Sequence, residues 1–233
     1  MHIFYTPDIE SSAILPQDQS KHAIQALRLK VGDHIMSFDG KGNWFELEII
    51  VAHAKRCEVT IQNKTSETPS LKHYHIAIAP TKSIDRYEWF LEKATELGVQ
   101  EISPIISQRS ERKIVKYDRS LRIIIAACKQ SKKATVPQLN EARTLKEFLS
   151  HEELKGDKFI AYLPTGRTIA LLQKAYQSKE QTTILIGPEG DFSDSEVGQA
   201  EAKGFIPISL GKSRLRTETA GIAALQTLNI LDA

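Results

Sequence analysis

Apolar positions in the first seventy residues fall in short clusters bounded by turn residues. The spacing predicts strands over His2–Tyr5, Asp33–Phe38, Trp44–Ala52 and Cys57–Gln62. Asp39-Gly40-Lys41-Gly42-Asn43 is a turn sequence between two of them. Only Ser20–Leu29 shows the i, i+3, i+4 recurrence of a brief helix. One helix among closely spaced antiparallel strands predicts a small barrel. Asn63–Ser70, which holds Pro69 and no apolar residue, reads as a linker.

Beyond the linker, strand and helix patterns alternate, the mark of an α/β domain. Strands are predicted over His73–Pro80, Glu101–Ser107, Pro137–Leu139, Lys158–Leu163, Thr182–Ile186 and Phe205–Leu210. A helix capped by Ser83 or Asp85 is expected to run to Leu97, with Trp89, Phe90, Ala94 and Leu97 on its apolar face and Gly98 ending it. Further helices are expected over Tyr117–Lys129, with Leu121, Ile124, Ile125 and Cys128 inward, near Leu145–Leu149, and over Thr168–Tyr176. Ser193 or Asp194, and later Thr217, are the expected N-caps of the last two. The division expected is residues 1–71 and residues 72–233.

The last two strand–turn–helix units carry the chemistry. Thr182–Ile186 stops at Gly187-Pro188-Glu189-Gly190, and Phe205–Leu210 stops at Gly211. Two loops therefore open at the carboxyl ends of strands read as neighbours, where open α/β sheets hold ligands. A Gly-Pro-Glu-Gly turn taken alone is more often only a turn. The second loop changes the picture. LRTETAGIAAL places Arg216, Thr217, Glu218 and Thr219 at a helix start, followed by the small residues Ala220, Gly221, Ala223 and Ala224. Core packing does not call for that charged cluster, and Arg216 and Glu218 are expected to flank one crevice.

Composition excludes more than it selects. Hydrophobic content of 41% and charged content of 26% are ordinary for a globular protein. The first residues, MHIFYTPDIESS, lack the basic and apolar regions of a signal peptide, and no run approaches a membrane span. Two cysteines without paired spacing fit a reducing compartment, so a cytoplasmic location is expected. There is no GxxxxGK[ST] loop, no GxGxxG after a strand, no HExxH and no paired Cys/His set, and no metal is expected. A net charge of +2 does not mark a nucleic-acid binder, but its distribution is uneven. Between Gln108 and Lys133, nine basic residues (Arg109, Arg112, Lys113, Lys116, Arg119, Arg122, Lys129, Lys132, Lys133) face two acids, Glu111 and Asp118. A solvated helix face and a footprint for phosphates both fit that run.

GPEGDFSDSE followed by LGKSRLRTETA resembles the signature of the RsmE-type 16S ribosomal RNA uridine-N3 methyltransferases, within the knotted SPOUT superfamily. The likeness extends over most of the chain. Lys82, Asp85, Arg86 and the run Glu92-Lys93-Ala94-Thr95-Glu96-Leu97-Gly98 match it, as do Gln130-Ser131 and Val136-Pro137. Lys129 stands where the family usually has Glu, Asp191 where Gly is commoner, and Ser213-Arg214 where Arg-Ile is frequent.

The resemblance implies a PUA-like N-terminal β-barrel that grips RNA and a C-terminal α/β domain tied in a trefoil knot. It implies S-adenosylmethionine as cofactor, held by Leu163, Pro164 and Thr165, by Ile186, Gly187, Pro188, Glu189 and Gly190, and by Leu210, Gly211 and Leu215, with Thr217, Thr219 and Ala220 beyond. Arg216 is the residue expected to stabilise charge on the uracil oxygens, and Glu218 to orient Arg216 or help take the proton. Lys21, His22 and Arg28 of the barrel are implied RNA contacts, as are Lys82, Arg86, Arg109, Arg112, Lys113, Lys132 and Lys133. The implied partner is 16S ribosomal RNA in the small subunit, and a homodimer is implied, with the helix Ala220–Leu231 at the interface. A knotted methyltransferase acting on another ribosomal or transfer RNA nucleotide, and a non-catalytic RNA-binding relative, are the alternatives.

Overall fold

Alternate burial along one long strand builds the core of the N-terminal unit. The computed structural model describes residues 2–151, 154–162 and 168–233 of the chain. It divides into two compact units, Met1–Pro69 with Cys128–Val136, and Ser70–Ala127 with Pro137–Ala233. In the first, β1 (Ile3–Tyr5) pairs parallel with β2 (His34–Phe38), which pairs antiparallel with β3 (Asn43–Val51), and that with β4 (Glu58–Ser66). Phe45, Leu47 and Ile49 of β3 alternate inward and meet Phe4, Ile9, Ile35 and Val59. Burying each such side chain contributes about 1.5–3 kcal/mol.

Two expectations change here. The helix starts earlier, as α1 (Ile9–Ser12) is followed by α2 (Gln17–Lys21), which passes into a π-helical turn, His22–Ala26. Its first turn is polar, so no apolar period marks it. Ser20 is buried and donates to Leu15 O at 2.9 Å while accepting from Cys57 N at 3.1 Å. The supposed linker also starts later: Asn63–Ser66 continue β4, opposite Asn43–Glu46. Both faces of that stretch are exposed, so there is no alternation to read; the backbone ladder holds it, with Ser66 Oγ donating to Asn43 Oδ1 and Lys64 pairing with Glu10. Val136 N donates to Gly40 O and Ala134 N to Glu67 Oε1, which joins Cys128–Val136 to this unit.

The second unit is an eight-stranded parallel sheet among the described residues. Its strands are β5 (His73–Ile78), β6 (Glu101–Ile106), β7 (Gln138–Leu139), β8 (Arg143–Thr144), β9 (Asp157–Ala161), β10 (Ala170–Leu171), β11 (Gln181–Ile186) and β12 (Ile206–Ser209). They lie in the order β10-β12-β9-β11-β5-β6-β7, with β8 also beside β6. The near-continuous apolar runs of β5 and β11 are buried, as in parallel strands covered on both faces. Between strands run α3 (Ile84–Glu96), α4 (Tyr117–Ser131), α5 (Leu145–His151), α6 (Leu172–Ala175), α7 (Asp194–Ala202) and α8 (Thr217–Leu231). Ala77, Ile160, Leu185, Phe148, Val197 and Phe205 belong to one buried cluster. Elsewhere α8 approaches α3 and β5 at Gly221, where a Cβ would stand 2.6 Å from Phe90 Cε2 and 3.1 Å from Ile78 Cδ1.

The sheet order corrects one expectation that matters for the site: β11 and β12 are not neighbours, because β9 lies between them. The helix expected over Thr168–Tyr176 is instead β10 and the short α6; Ala170 and Leu171 pair with Ile208 and Ser209, and tertiary pairing overrides a weak local pattern. Trp89 leaves the expected helix face and is 43% exposed, while Tyr87, Phe90, Leu91 and Ala94 are buried. Leu163, predicted to end β9, falls outside the described residues. No helix is long and apolar enough to cross a membrane among the described residues.

Two polar clusters brace this unit. Asp232 accepts hydrogen bonds from Tyr74 Oη at 2.6 Å, from Ser178 Oγ at 2.5 Å and from Tyr176 Oη, with Lys72 Nζ at 3.4 Å. Burial pushes its carboxyl up, but the Ser178, Tyr176 and Tyr74 donors and the Lys72 ammonium outweigh burial and hold it at about 2. His75 is buried with Nε2 2.8 Å from Ser103 Oγ. Burial pushes its imidazole down to about 4, against the opposing pull of Glu101.

Candidate active site

Three adjacent strands, β12, β9 and β11, end at the same edge of the sheet, and the site lies there. After β11 the chain turns through Gly187-Pro188-Glu189-Gly190, closed by Asp191 N donating to Pro188 O at 2.9 Å. A Cβ on Gly187 would lie 3.1 Å from the Phe192 ring and 3.2 Å from its backbone nitrogen, a tight approach that a side chain would have to push apart by a few tenths of an ångström. Of the two expected caps, Ser193 and Asp194, Ser193 caps α7, in a reciprocal box with Glu196. Glu196 Oε1 also accepts from Gln108 N at 2.7 Å.

The second wall is the start of α8. The cap position is Arg216, not Thr217 as expected. Thr217 is the first helical residue, and its buried hydroxyl donates to Gly187 O at 2.9 Å, tying the helix start to the glycine loop. Between these walls is a cavity of about 630 Å³.

Most of the cofactor-binding residues named from the sequence meet at this cavity. Ile186, Gly187, Pro188 and Glu189 line one side; Leu210, Gly211, Leu215, Arg216, Thr217 and Ala220 line the other. Gly190 stands behind the lining, with Arg109 Cβ 3.3 Å from where its own Cβ would be, and Thr219 is exposed outside it. Leu163, Pro164 and Thr165 lie outside the described residues. Residues not named as cofactor contacts also line it: Ala161, Tyr162, Asp191, Ile208, Ser213, Arg214 and Arg86. Ala161 and Tyr162 were legible in principle, since Ala161 ends β9 and Tyr162 follows it just before the predicted loop. Tyr162 donates to Asp194 Oδ1 at 2.5 Å, which pushes its phenol up.

Glu218 is buried and is not part of the lining; its carboxylate faces Arg86, with Oε1 3.9 Å from Nε. Several of the basic residues read as RNA contacts have partners inside this unit. Arg109 Nη1 donates to Gly190 O at 2.9 Å and Phe192 O at 3.4 Å. Arg112 donates to Thr81 O and Lys82 O, and Lys82 Nζ pairs with Glu111 at 2.8 Å. Lys82 N donates to Glu189 Oε1 at 2.9 Å. Lys113 is exposed, as are Lys21, His22, Arg28 and Lys132 of the N-terminal unit, where Lys133 is half-buried. No group of three or more His, Cys, Asp or Glu side chains suited to a metal occurs among the described residues.

Two family descriptions match the chain: an RNA methyltransferase domain over residues 66–229 and an RNA methyltransferase PUA domain over residues 15–62. The parallel sheet with its glycine-walled cavity is thus that of an RNA methyltransferase. A ribosomal RNA small subunit methyltransferase E of Synechocystis sp. is 31% identical over 96% of this chain and 74% of its own. A crystal structure of a probable rRNA-methyltransferase from Porphyromonas gingivalis superposes with a TM-score of 0.91 at 42% identity, covering 99% of this chain and 98% of that one. The ribosomal RNA small subunit methyltransferase E of Neisseria gonorrhoeae, solved bound to S-adenosyl methionine, gives 0.86 at 30% identity, with the same coverage. The chain belongs to the ribosomal RNA small subunit methyltransferase E family.

Proposed function

We propose that this protein transfers a methyl group from S-adenosylmethionine to N3 of a uridine in 16S ribosomal RNA. The observation that carries the reading is the cavity at the ends of β9, β11 and β12, with a glycine loop on one side and Arg216 on the other. The residues present fit the cofactor. Cavity-lining backbone at Gly187 and Gly211 is suited to meet adenine and ribose, while Ile186, Ile208, Leu210 and Leu215 offer apolar walls. Glu189 and Asp191 are the acids at the rim, suited to a cationic ligand. When bound, S-adenosylmethionine supplies an electrophilic methyl group on a sulfonium.

The chain's own task is alignment and charge. In-line displacement needs the nucleophile held within about 3–3.5 Å of the methyl carbon, and fixed loops provide this. Uracil N3 must lose its imide proton, and the guanidinium of Arg216 stabilises the negative charge that develops on the flanking oxygens. Lys113, Lys132 and the exposed bases of the N-terminal unit hold the RNA backbone, with affinity that falls as salt rises. We also propose a homodimer, which a monomeric mass in sedimentation would refute.

The test is to add purified protein and radiolabelled S-adenosylmethionine to small ribosomal subunits from a strain lacking it. Label recovered as 3-methyluridine in 16S RNA supports the reading. Cofactor binding with label on a different nucleotide, or on transfer RNA, refutes the target.

A further inference from the structure

The cavity holds a second guanidinium with an anchor of its own. Arg86, in the first turn of α3, lines the same cavity as Arg216. Its Nε lies 3.9 Å from Glu218 Oε1; the Glu218 side chain is 9% exposed and that of Arg86 is 44% exposed. The other carboxylate oxygen, Glu218 Oε2, is buried with no hydrogen-bond partner among the described residues. A buried carboxylate is costly unless a cation or donors face it. Arg86 is the cation placed there, and it is anchored at one end while open to the cavity at the other.

The substrate has a matching symmetry. Uracil N3 sits between two carbonyl groups, so loss of its proton spreads negative charge over both O2 and O4. A single guanidinium meets only one of these oxygens.

Resting on the proposed N3 methylation, we propose that Arg86 and Arg216 each face one carbonyl oxygen of the target uracil, and that Glu218 is the positioning residue that holds Arg86. Glu218 is then not the proton acceptor. With both oxygens facing cations, the N3 proton leaves to solvent water or hydroxide. The N3 lone pair forms the new bond to the methyl carbon while the carbon–sulfur bond breaks, and its electron pair stays on sulfur as a neutral thioether. Arg86 thereby moves from a general RNA contact to a catalytic residue.

The experiment compares wild type with Arg86→Ala, Arg86→Lys and Glu218→Gln in single-turnover methylation of small subunits, with cofactor affinity from calorimetry on the same proteins. Loss of one such stabilising donor lowers the rate by about 10²–10³-fold. Arg86→Ala is expected to show that loss with cofactor affinity unchanged, Arg86→Lys to recover part of it, and Glu218→Gln to fall between. The pH–rate profile of Arg86→Ala is expected to shift to higher pH, because the imide proton is harder to remove. Subunits assembled from RNA transcribed with 5-fluorouridine triphosphate carry a more acidic N3, and there the Arg86→Ala deficit is expected to shrink. A deficit that 5-fluorouridine and pH leave untouched, lost cofactor binding, or a full rate in Arg86→Ala would each overturn the assignment. Absence of 3-methyluridine from the wild-type reaction would instead overturn the functional reading on which it rests.

Discussion

Replacing Asp232 with Asn removes the charge on which three hydroxyls converge and leaves the side chain's shape almost intact. Tyr74 Oη, Tyr176 Oη and Ser178 Oγ all donate to this carboxylate, and they come from β5, the end of α6 and the loop before β11. The folded protein holds the carboxyl at about 2, against an ordinary value of 3.8. That displacement corresponds to about 2 kcal/mol of preference for the charged form. Lys72, one of its causes, is partly solvent-facing, so screening reduces the expected loss to about 1–2 kcal/mol. The sign follows from the lowered value: the contribution is complete above about pH 4 and disappears as pH falls through about 2, where both states are protonated. Urea unfolding of wild type and Asp232→Asn at pH 7 is expected to differ by this amount and to converge by pH 2. A difference below about 0.3 kcal/mol at pH 7 would show that the clamp adds nothing beyond its neutral hydrogen bonds.

Gly221→Ala drives a methyl group against Phe90 and Ile78, and is expected to cost about 1–3 kcal/mol in urea unfolding; an unchanged midpoint would mean α8 shifts freely. Arg109→Ala frees Gly190 O and Phe192 O and is expected to weaken cofactor binding about tenfold by calorimetry, equivalent to about 1.4 kcal/mol; unchanged affinity would show that the loop holds itself. His75, buried and held near about 4, is expected to stay neutral in NMR titration from pH 7 to pH 5. Because its folded value lies below the unfolded one, stability present above about pH 6.5 declines toward pH 4, by up to about 3 kcal/mol. Charging of His75 at pH 6 would contradict the packing around it.

Strand and helix alternation was legible wherever a periodic apolar run met a turn residue, as for β5, β11 and α3. The glycine loop and LRTETA were legible because their residue types make little sense as core or surface alone. Asn63–Ser66 stayed hidden because a strand exposed on both faces shows no alternation of apolar and polar residues. The insertion of β9 between β11 and β12 was hidden for another reason: strand order is set by crossover connections, not by local pattern. Local sequence also hides what individual basic residues touch. Both Lys113 and Arg109 are exposed, but a count of positive charge between Gln108 and Lys133 cannot show that Arg109 Nη1 also donates to the carbonyl of Gly190, 81 residues away. Glu218 was paired in expectation with Arg216, two residues distant in sequence. A helix turns neighbours two apart to different faces, and the structure pairs Glu218 with Arg86 instead.

The cavity is assembled from residues as far apart as Arg86 and Ala220. At translation speeds of about 5–20 residues per second, roughly 7–27 s separate their appearance on the ribosome. During that interval β5, β9 and β11 can already pair, but no arginine caps α8 and no hydroxyl ties it to Gly187. A nascent chain of this kind is catalytically silent however much of its sheet has formed. The lining is complete only once the chain has been made through Ala220.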